Sequence, residues 1–229
     1  MKDHIVVLSG SGISAESGLS TFRDSGGLWE KYSVYDVATP EAFQRDPGLV
    51  LRFYNERRRQ LKEVEPNSAH LTLAELEKDY LVTIVTQNVD DLHERAGSGN
   101  VVHLHGELTR ARSSKRDDLI YDIGYEPISP GDTCELGSQL RPHIVWFGEE
   151  VPMMEAAAAI VGSADHLLVV GTSLQVYPAA GLVDFVDVDV PVTVIDPGGP
   201  ASVSRARVIR KRATDGIPEW VRELTSRAR

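Results

Sequence analysis

The chain predicts an α/β fold, a Rossmann-like doubly wound parallel sheet with a small inserted module, and three observations carry that prediction. An apolar run, Ile5 to Leu8, ends in Gly10, Ser11 and Gly12, with Ala15 where the third small residue of a dinucleotide fingerprint belongs. Three more apolar runs, LVTIVTQN at 81–88, DHLLVVGTS at 165–173 and VPVTVIDPG at 190–198, read as buried parallel strands that finish in small or polar residues. Stretches of helical spacing separate them, and single strands alternating with helices build a parallel sheet. At 229 residues, 41% hydrophobic and 25% charged, the chain can bury one sizeable core plus a small appended module.

The first strand and its turn predict a nucleotide site. Gly10 allows a sharp turn, Gly12 lets the backbone approach a diphosphate without a Cβ, and Ala15 permits a close helix whose amino end offers free N–H groups to anionic oxygens. A hydride-transfer dehydrogenase would place a second strand ending in an acidic residue about 20 positions later. Here that region holds Phe22, Arg23, Asp24, Gly26, Gly27 and then Trp29, which reads as a loop able to fold over a bound cofactor.

Residues 36–65 read as helical after Pro40, with Asp46 and Pro47 as a start signal and Val50, Phe53, Tyr54, Arg57 and Leu61 at helical spacing. Tyr54 and Arg57 stand three apart and so share one face. An amphipathic helix runs through Leu71, Ala74 and Leu76 after the break at Pro66 and Asn67. The strand 81–88 then ends in Thr86, Gln87, Asn88, Val89, Asp90 and Asp91, and carboxyl ends of strands are where open α/β sheets bind ligands. In VVHLHGEL, His103 and His105 would point the same way on a strand, yet no third ligand at convincing spacing supports a metal. Segment 109–140 is polar and turn-rich, 140–149 is a short extended segment, a helix spans about 153–161, and 217–224 reads as a closing helix after Pro218.

Composition narrows the function classes. The 24 Lys and Arg against 34 Asp and Glu leave a formal charge of −10, which argues against a nonspecific nucleic-acid binder. A single cysteine, Cys134, excludes an intramolecular disulfide framework and fits a reducing compartment. With no signal peptide and no membrane span in the sequence, a cytoplasmic protein without membrane partners is expected.

The runs GISAESGLSTFR and TQNVDDLHERAG, with LHGEL, LRPHIVWFGE, GTS and the ending DPG, resemble the sirtuins, NAD-consuming protein lysine deacylases, over about Ile5 to Leu224. The resemblance implies one catalytic domain, 1–229, with a large Rossmann-like part of about 1–30, 65–110 and 140–229 and small modules from about 31–64 and 111–139. It implies that Gly10, Ser11, Gly12, Ile13, Ala15, Glu16, Thr21, Phe22, Arg23, Trp29, Gln87, Asn88, Val89, Asp90, Gly171, Thr172, Ser173, Asp196, Pro197, Gly198 and Ala213 bind NAD. Asp196 stands where the family usually has Asn, and Ser11 where it usually has Ala. A carboxylate there accepts from ribose hydroxyls and disfavours a 2′-phosphate, so NAD rather than NADP is expected.

By the same resemblance His105, Asn88 and Asp90 are catalytic, with His105 as general base and Gly106 leaving room for the cofactor. Val145, Phe147, Gly148 and Glu149 would hold the substrate, the peptide adding as a strand along 140–149. The Tyr54, Arg57 pair matches the subclass resembling desuccinylases and demalonylases, in which hydroxyl and guanidinium hold the acyl chain's distal carboxylate. The implied reaction transfers the acyl group from lysine to ADP-ribose and releases nicotinamide and O-acyl-ADP-ribose. Acetyl-lysine is the second expected substrate class. Protein mono-ADP-ribosylation, a nicotinamide-dependent oxidoreductase and an idle NAD-binding module are the alternatives. The family's small module carries four zinc-bound cysteines. This chain has Ser113 near the first of those places and Cys134 as its one sulfur, so no zinc is expected, packing of Leu119, Ile120, Tyr121, Ile123 and Tyr125 is expected to hold the module, and a monomer acting on acylated proteins is expected.

Overall fold

The computed structural model describes residues 2–21, 32–199, 203 and 205–227. Its main sheet is all parallel. It is built from β1 (His4–Ser9), β2 (Leu81–Thr86), β3 (Val101–His103), β7 (His166–Val170), β8 (Val192–Ile195) and β9 (Arg207–Ile209), in the order β3-β2-β1-β7-β8-β9. The chain winds outward from β1 on one side, returns, and winds outward from β7 on the other. The point where it reverses lies between β1 and β7, whose registers run Ile5 with His166 through Ser9 with Val170. A crevice therefore opens outside the carboxyl ends of those two strands.

The apolar runs are continuous because both sheet faces are covered. Ile5 and Val7 face one core with Leu73, Leu76, Ile217 and Trp220, while Val6 and Leu8 face the other with Val161, Leu167 and Leu182. The first core is roofed by α4 (Ser68–Leu76) and the last helix, α7 (Ala213–Arg227); the second by α6 (Met154–Gly162) and a 3-10 segment, Ala179–Phe185. The last helix starts before Pro218 rather than after it. Proline cannot bond the carbonyl four residues back, and Ser68 Oγ donates to that orphan, Thr214 O, at 3.3 Å.

The expected helical region 36–65 divides into α1 (Val34–Val37), α2 (Pro40–Arg45) and α3 (Pro47–Glu63). Asp46 caps α3 by accepting from Leu49 N at 2.8 Å, with Pro47 at the first position. These helices pack on a second, antiparallel sheet, β5-β4-β6, made of β4 (Gly106–Ser113), β5 (Ile120–Asp122) and β6 (Leu140–Ile144). One core joins them: Val50, Leu51, Phe53 and Leu61 against Leu108, Ala111, Ile128 and Trp146. Buried Arg58 fastens α3 to β4 by donating to Leu108 O at 2.6 Å. The antiparallel sheet takes in Gly106–Ser113 and Leu140–Ile144, so the smaller unit reaches beyond the expected 111–139, and its two sequence segments form one body.

Ser113 Oγ accepts from the backbone N–H groups of Lys115 and Arg116, both at 3.2 Å, and Cys134 closes its own turn through its main chain, its N–H donating to Ser138 O at 2.9 Å. Among the described residues no three His, Cys, Asp or Glu side chains converge as a metal site requires. Of the residues expected to hold this unit, Ile123 and Tyr125 pack on the shared core, and Tyr125 Oη donates to Asp91 Oδ2 at 2.5 Å. Ile120 is exposed. No described helix is long and apolar enough to cross a membrane.

Candidate active site

A cleft of about 970 Å³ fills the crevice and runs from the sheet's carboxyl edge to the helical module, at the upper end of the size range of ligand sites. Its floor is the close meeting of two loops. Gly10 N donates to Val170 O at 3.0 Å and Gly12 N to Gly171 O at 2.9 Å. A Cβ on Gly12 would lie 2.8 Å from Gly171 Cα, and Gly171 itself has φ +61°, so Gly12 makes room for the neighbouring loop rather than for the diphosphate expected of it. Gly12→Ala is expected to lower stability by about 1–3 kcal/mol through overpacking. A fall in Tm of several degrees, with weaker NAD binding by calorimetry, would show it.

The helix expected after Gly12 is replaced by two 3-10 turns, Ser11–Ile13 and Ala15–Ser17. The Ile13 carbonyl, which an α-helix would spend on its own ladder, accepts from Asn67 Nδ2 at 2.8 Å. The same Asn67 caps α4 and donates from its main chain to His70 Nδ1 at 3.3 Å. Ser14, which the sequence reading passed over, is the pivot below the floor: its Oγ accepts from Asn88 Nδ2 at 3.1 Å and lies 3.5 Å from His70 Nε2. Its polarity inside the GISAES run was the available signal.

His70 is fully buried, and burial pushes its pKa down to about 4. The unfolded chain therefore takes up a proton near pH 6.5 that the fold refuses. Stability from this group is complete above pH 6.5 and is lost as pH falls towards 4. Urea midpoints should drop over that window, and His70→Gln should flatten part of the drop.

At the end of β2, Gln87 Nε2 donates to Thr172 Oγ1 at 3.1 Å, tying the two halves of the crevice together. Gln87, Asn88 and Val89 line the cleft; Asp90 does not, because it is buried behind the wall and accepts from Leu92 N at 3.3 Å. Burial raises the Asp90 pKa, against the backbone hydrogen bond of Leu92 and the hydrogen bond from Ser14. Ile13 also sits behind the wall, in the core.

The two histidines part company. β3 ends at His103, whose Nδ1 donates to Asn88 O at 3.0 Å while Nε2 meets Glu94 Oε1 at 2.7 Å. Burial opposes its protonation, but the Glu94 carboxylate outweighs this and raises the pKa. His105 lies past the strand and lines the cleft. Its Nδ1 donates to Gln87 O at 3.0 Å, which fixes the tautomer and leaves Nε2 as the basic nitrogen. Burial lowers its pKa despite that bond, so the ring is neutral near pH 7.

Gly106 makes room for protein rather than for a cofactor. It has φ +80°, and a Cβ there would stand 2.0 Å from His143 O on the neighbouring β6.

The far end of the cleft is aromatic and basic. Tyr54 and Arg57 line it together with Ile144, Val145, Trp146 and Phe147. Burial pushes the Tyr54 pKa up to about 12, and lowers that of Arg57 against the attraction of Tyr54 and Asp90. The Arg57 guanidinium stands 5.8 Å from the Phe53 ring centre.

Glu149 lines the cleft, but its carboxylate is occupied: Arg141 donates at 2.6 and 3.0 Å, Arg112 at 3.2 Å and Trp146 N at 2.8 Å. It clamps the loop rather than reaching for a substrate. The extended segment ends at Ile144, with Phe147 and Gly148 in a turn. The N–H groups of Val145, Trp146 and Phe147 already donate to His105 O, Glu149 Oε2 and Ala38 O, so none of the three is open to an added strand. Half-exposed Phe147 and Gly148 still border the opening.

Of the other expected residues, Gly10, Ser11, Gly12, Ala15, Glu16, Thr21, Gly171, Thr172, Ser173, Asp196, Pro197, Gly198 and Ala213 all line the cleft. The Glu16 carboxylate accepts from Thr214 Oγ1 at 2.7 Å and Thr214 N at 3.3 Å, so it straps the floor to the start of α7. Asp196 Oδ1 accepts from Gly198 N at 2.8 Å. Phe22, Arg23 and Trp29, with Asp24, Gly26 and Gly27 of the expected covering loop, lie outside the described residues.

The cleft residues coincide with a known family. Residues 10–178 match the Sir2 family. An NAD-dependent protein deacylase of Bacteroides thetaiotaomicron is 54% identical over 224 residues, covering 94% of this chain and 95% of that one. A Sir2 homologue solved with ADP-ribose superposes with a TM-score of 0.92 at 38% identity, covering 99% of this chain and 94% of that chain. A Sir2 solved with a p53 peptide and NAD+ does so with a TM-score of 0.80 at 28% identity, covering 98% and 94%.

Proposed function

The chain belongs to the Sir2 family and is an NAD-dependent protein deacylase; from that premise we propose that it prefers acidic acyl groups, succinyl and malonyl, on protein lysines, with acetyl-lysine as a weaker substrate. The observation that supports this is the placing of Tyr54 and Arg57 in the same cleft as His105. A guanidinium offers a fork of donors and full charge to a carboxylate, and a phenol adds one directional donor. A methyl-ended acyl group has no use for either.

Gly10, Ser11, Gly12, Gly171 and Thr172 line one cleft with Asp196, which supports a dinucleotide laid across the carboxyl ends of β1 and β7. NAD would supply a glycosidic bond whose cleavage lets the acyl oxygen join the ribose. Around that bond Gln87 and Asn88 would hold the nicotinamide ribose, and Asp196 the adenosine ribose. His105 Nε2 would take the proton of a ribose hydroxyl, its ring held by Gln87 O. The smaller unit is proposed to fold without metal, its turns closed by the hydrogen bonds to Ser113 Oγ and by the main-chain bonds of Cys134 with Ser138 and Gly137. We also place the enzyme in the cytoplasm as a monomer.

The test is to incubate the protein with NAD and matched acetyl, malonyl and succinyl peptides, following peptide mass and nicotinamide together. Loss of acyl mass in step with nicotinamide, fastest for the acidic acyl groups, is expected. Equal rates for all three peptides would remove the preference. Transfer of adenine label onto the peptide would instead favour mono-ADP-ribosylation.

A further inference from the structure

We propose that Trp146 is a positioning residue for acidic acyl recognition, acting through Tyr54: its indole N–H holds the Tyr54 hydroxyl as a donor directed at the acyl chain's distal carboxylate. The inference rests on the acidic-acyl reading above.

Trp146 Nε1 donates to Tyr54 Oη at 3.0 Å, and both residues are buried, at 2% and 3% exposure. An indole N–H can only donate. It therefore occupies acceptor capacity on the hydroxyl oxygen and leaves the hydroxyl proton to be given elsewhere. No acceptor for that proton is found among the described residues. A carboxylate is acceptor only and completes the pair, and a hydrogen bond received by a hydroxyl polarises the one it gives.

The indole is itself immobilised, which makes the direction of its N–H a property of the fold. Its main-chain N–H donates to Glu149 Oε2 at 2.8 Å. The Arg141 guanidinium lies 3.3 Å from its ring centre and is held in turn by Glu149 and by Ile144 O at 2.8 Å. The Phe43 ring stands 5.4 Å away, and Phe53 meets Tyr54 edge-on at 5.0 Å. This gives the clamp of Arg141 and Glu149 a consequence at the substrate: it keeps the indole aimed at Tyr54. Arg57 supplies the charge and Tyr54 the direction.

The experiment compares kcat and KM for succinyl and acetyl peptides in the wild type, Trp146→Phe, Tyr54→Phe and the double variant. Trp146→Phe should lower the succinyl-to-acetyl ratio of kcat/KM about five- to tenfold, mostly through the succinyl KM. In the Tyr54→Phe background the same change should move the ratio by less than about twofold, the signature of coupled residues. Equal loss on both peptides, or an undiminished shift without the Tyr54 hydroxyl, overturns the proposal and leaves Trp146 as packing. Should Trp146→Phe lose its cooperative melt, benzothienylalanine at position 146 keeps the ring shape, lacks the N–H and is read the same way. A wild type with no preference for succinyl fails the acidic-acyl reading and this inference with it. A wild type with the preference, whose ratio Trp146→Phe leaves unmoved, overturns this inference alone.

Discussion

His105→Ala is expected to lower the turnover of acyl-lysine peptides by about 10²–10⁴-fold, the usual contribution of a positioned general base. Binding of NAD, measured by calorimetry, should change far less, because the glycine floor and the Gln87, Thr172 bridge do not depend on the imidazole. The reason is geometric. Gln87 O accepts from Nδ1 and so leaves Nε2 as the unprotonated nitrogen of a ring that lines the cleft. The wild-type pH profile should follow the same group: the protonated ring cannot accept a proton, so kcat/KM falls on the acid side. Burial lowers the His105 pKa, and the acid limb should therefore lie below the ordinary histidine value of about 6.5. An unchanged rate in His105→Ala would remove the base from this position.

Arg57→Ala is expected to cost acidic acyl substrates about 1.5–3 kcal/mol, the range for a hydrogen bond to a charged group. That is a fall of roughly 10- to 100-fold in the succinyl-to-acetyl ratio of kcat/KM. Tyr54 alone offers one neutral donor and cannot replace the charge. Arg57→Lys should recover only part of the ratio, since an ammonium keeps the charge but loses the planar fork. The measurement is a competition between the two peptides at equal concentration, read by mass. A ratio unmoved by Arg57→Ala would place the carboxylate recognition elsewhere.

Much of the fold was legible because its signals are local. Apolar runs that both sheet faces bury, the start of α3 at Asp46 and Pro47, and the small residues at the ends of β1 and β7 are each contained in a few neighbouring positions. The errors arose where a distant partner decides. The helix expected after Gly12 is displaced by Asn67, 54 residues away, which takes the Ile13 carbonyl. The closing helix starts earlier than Pro218 suggested because Ser68 accommodates the carbonyl that proline abandons.

The site divides in the same way. Sequence alone determined the strand, glycine turn and polar strand ends that make a nucleotide cleft, and the resemblance to the sirtuins singled out Tyr54, Arg57 and His105, because a family motif is contained in a short stretch. Tertiary structure alone decided what each side chain is free to do. It separated His103, tied to Glu94, from His105 in the cleft, turned Glu149 away to Arg141 and Arg112, and assigned the bare space at Gly106 to the His143 carbonyl. It also joined Trp146 to Tyr54 across 92 positions of chain. Hydrogen bonds and burial between such distant residues exist only once the sheet and the helical module have closed on each other, so no local pattern could have carried them.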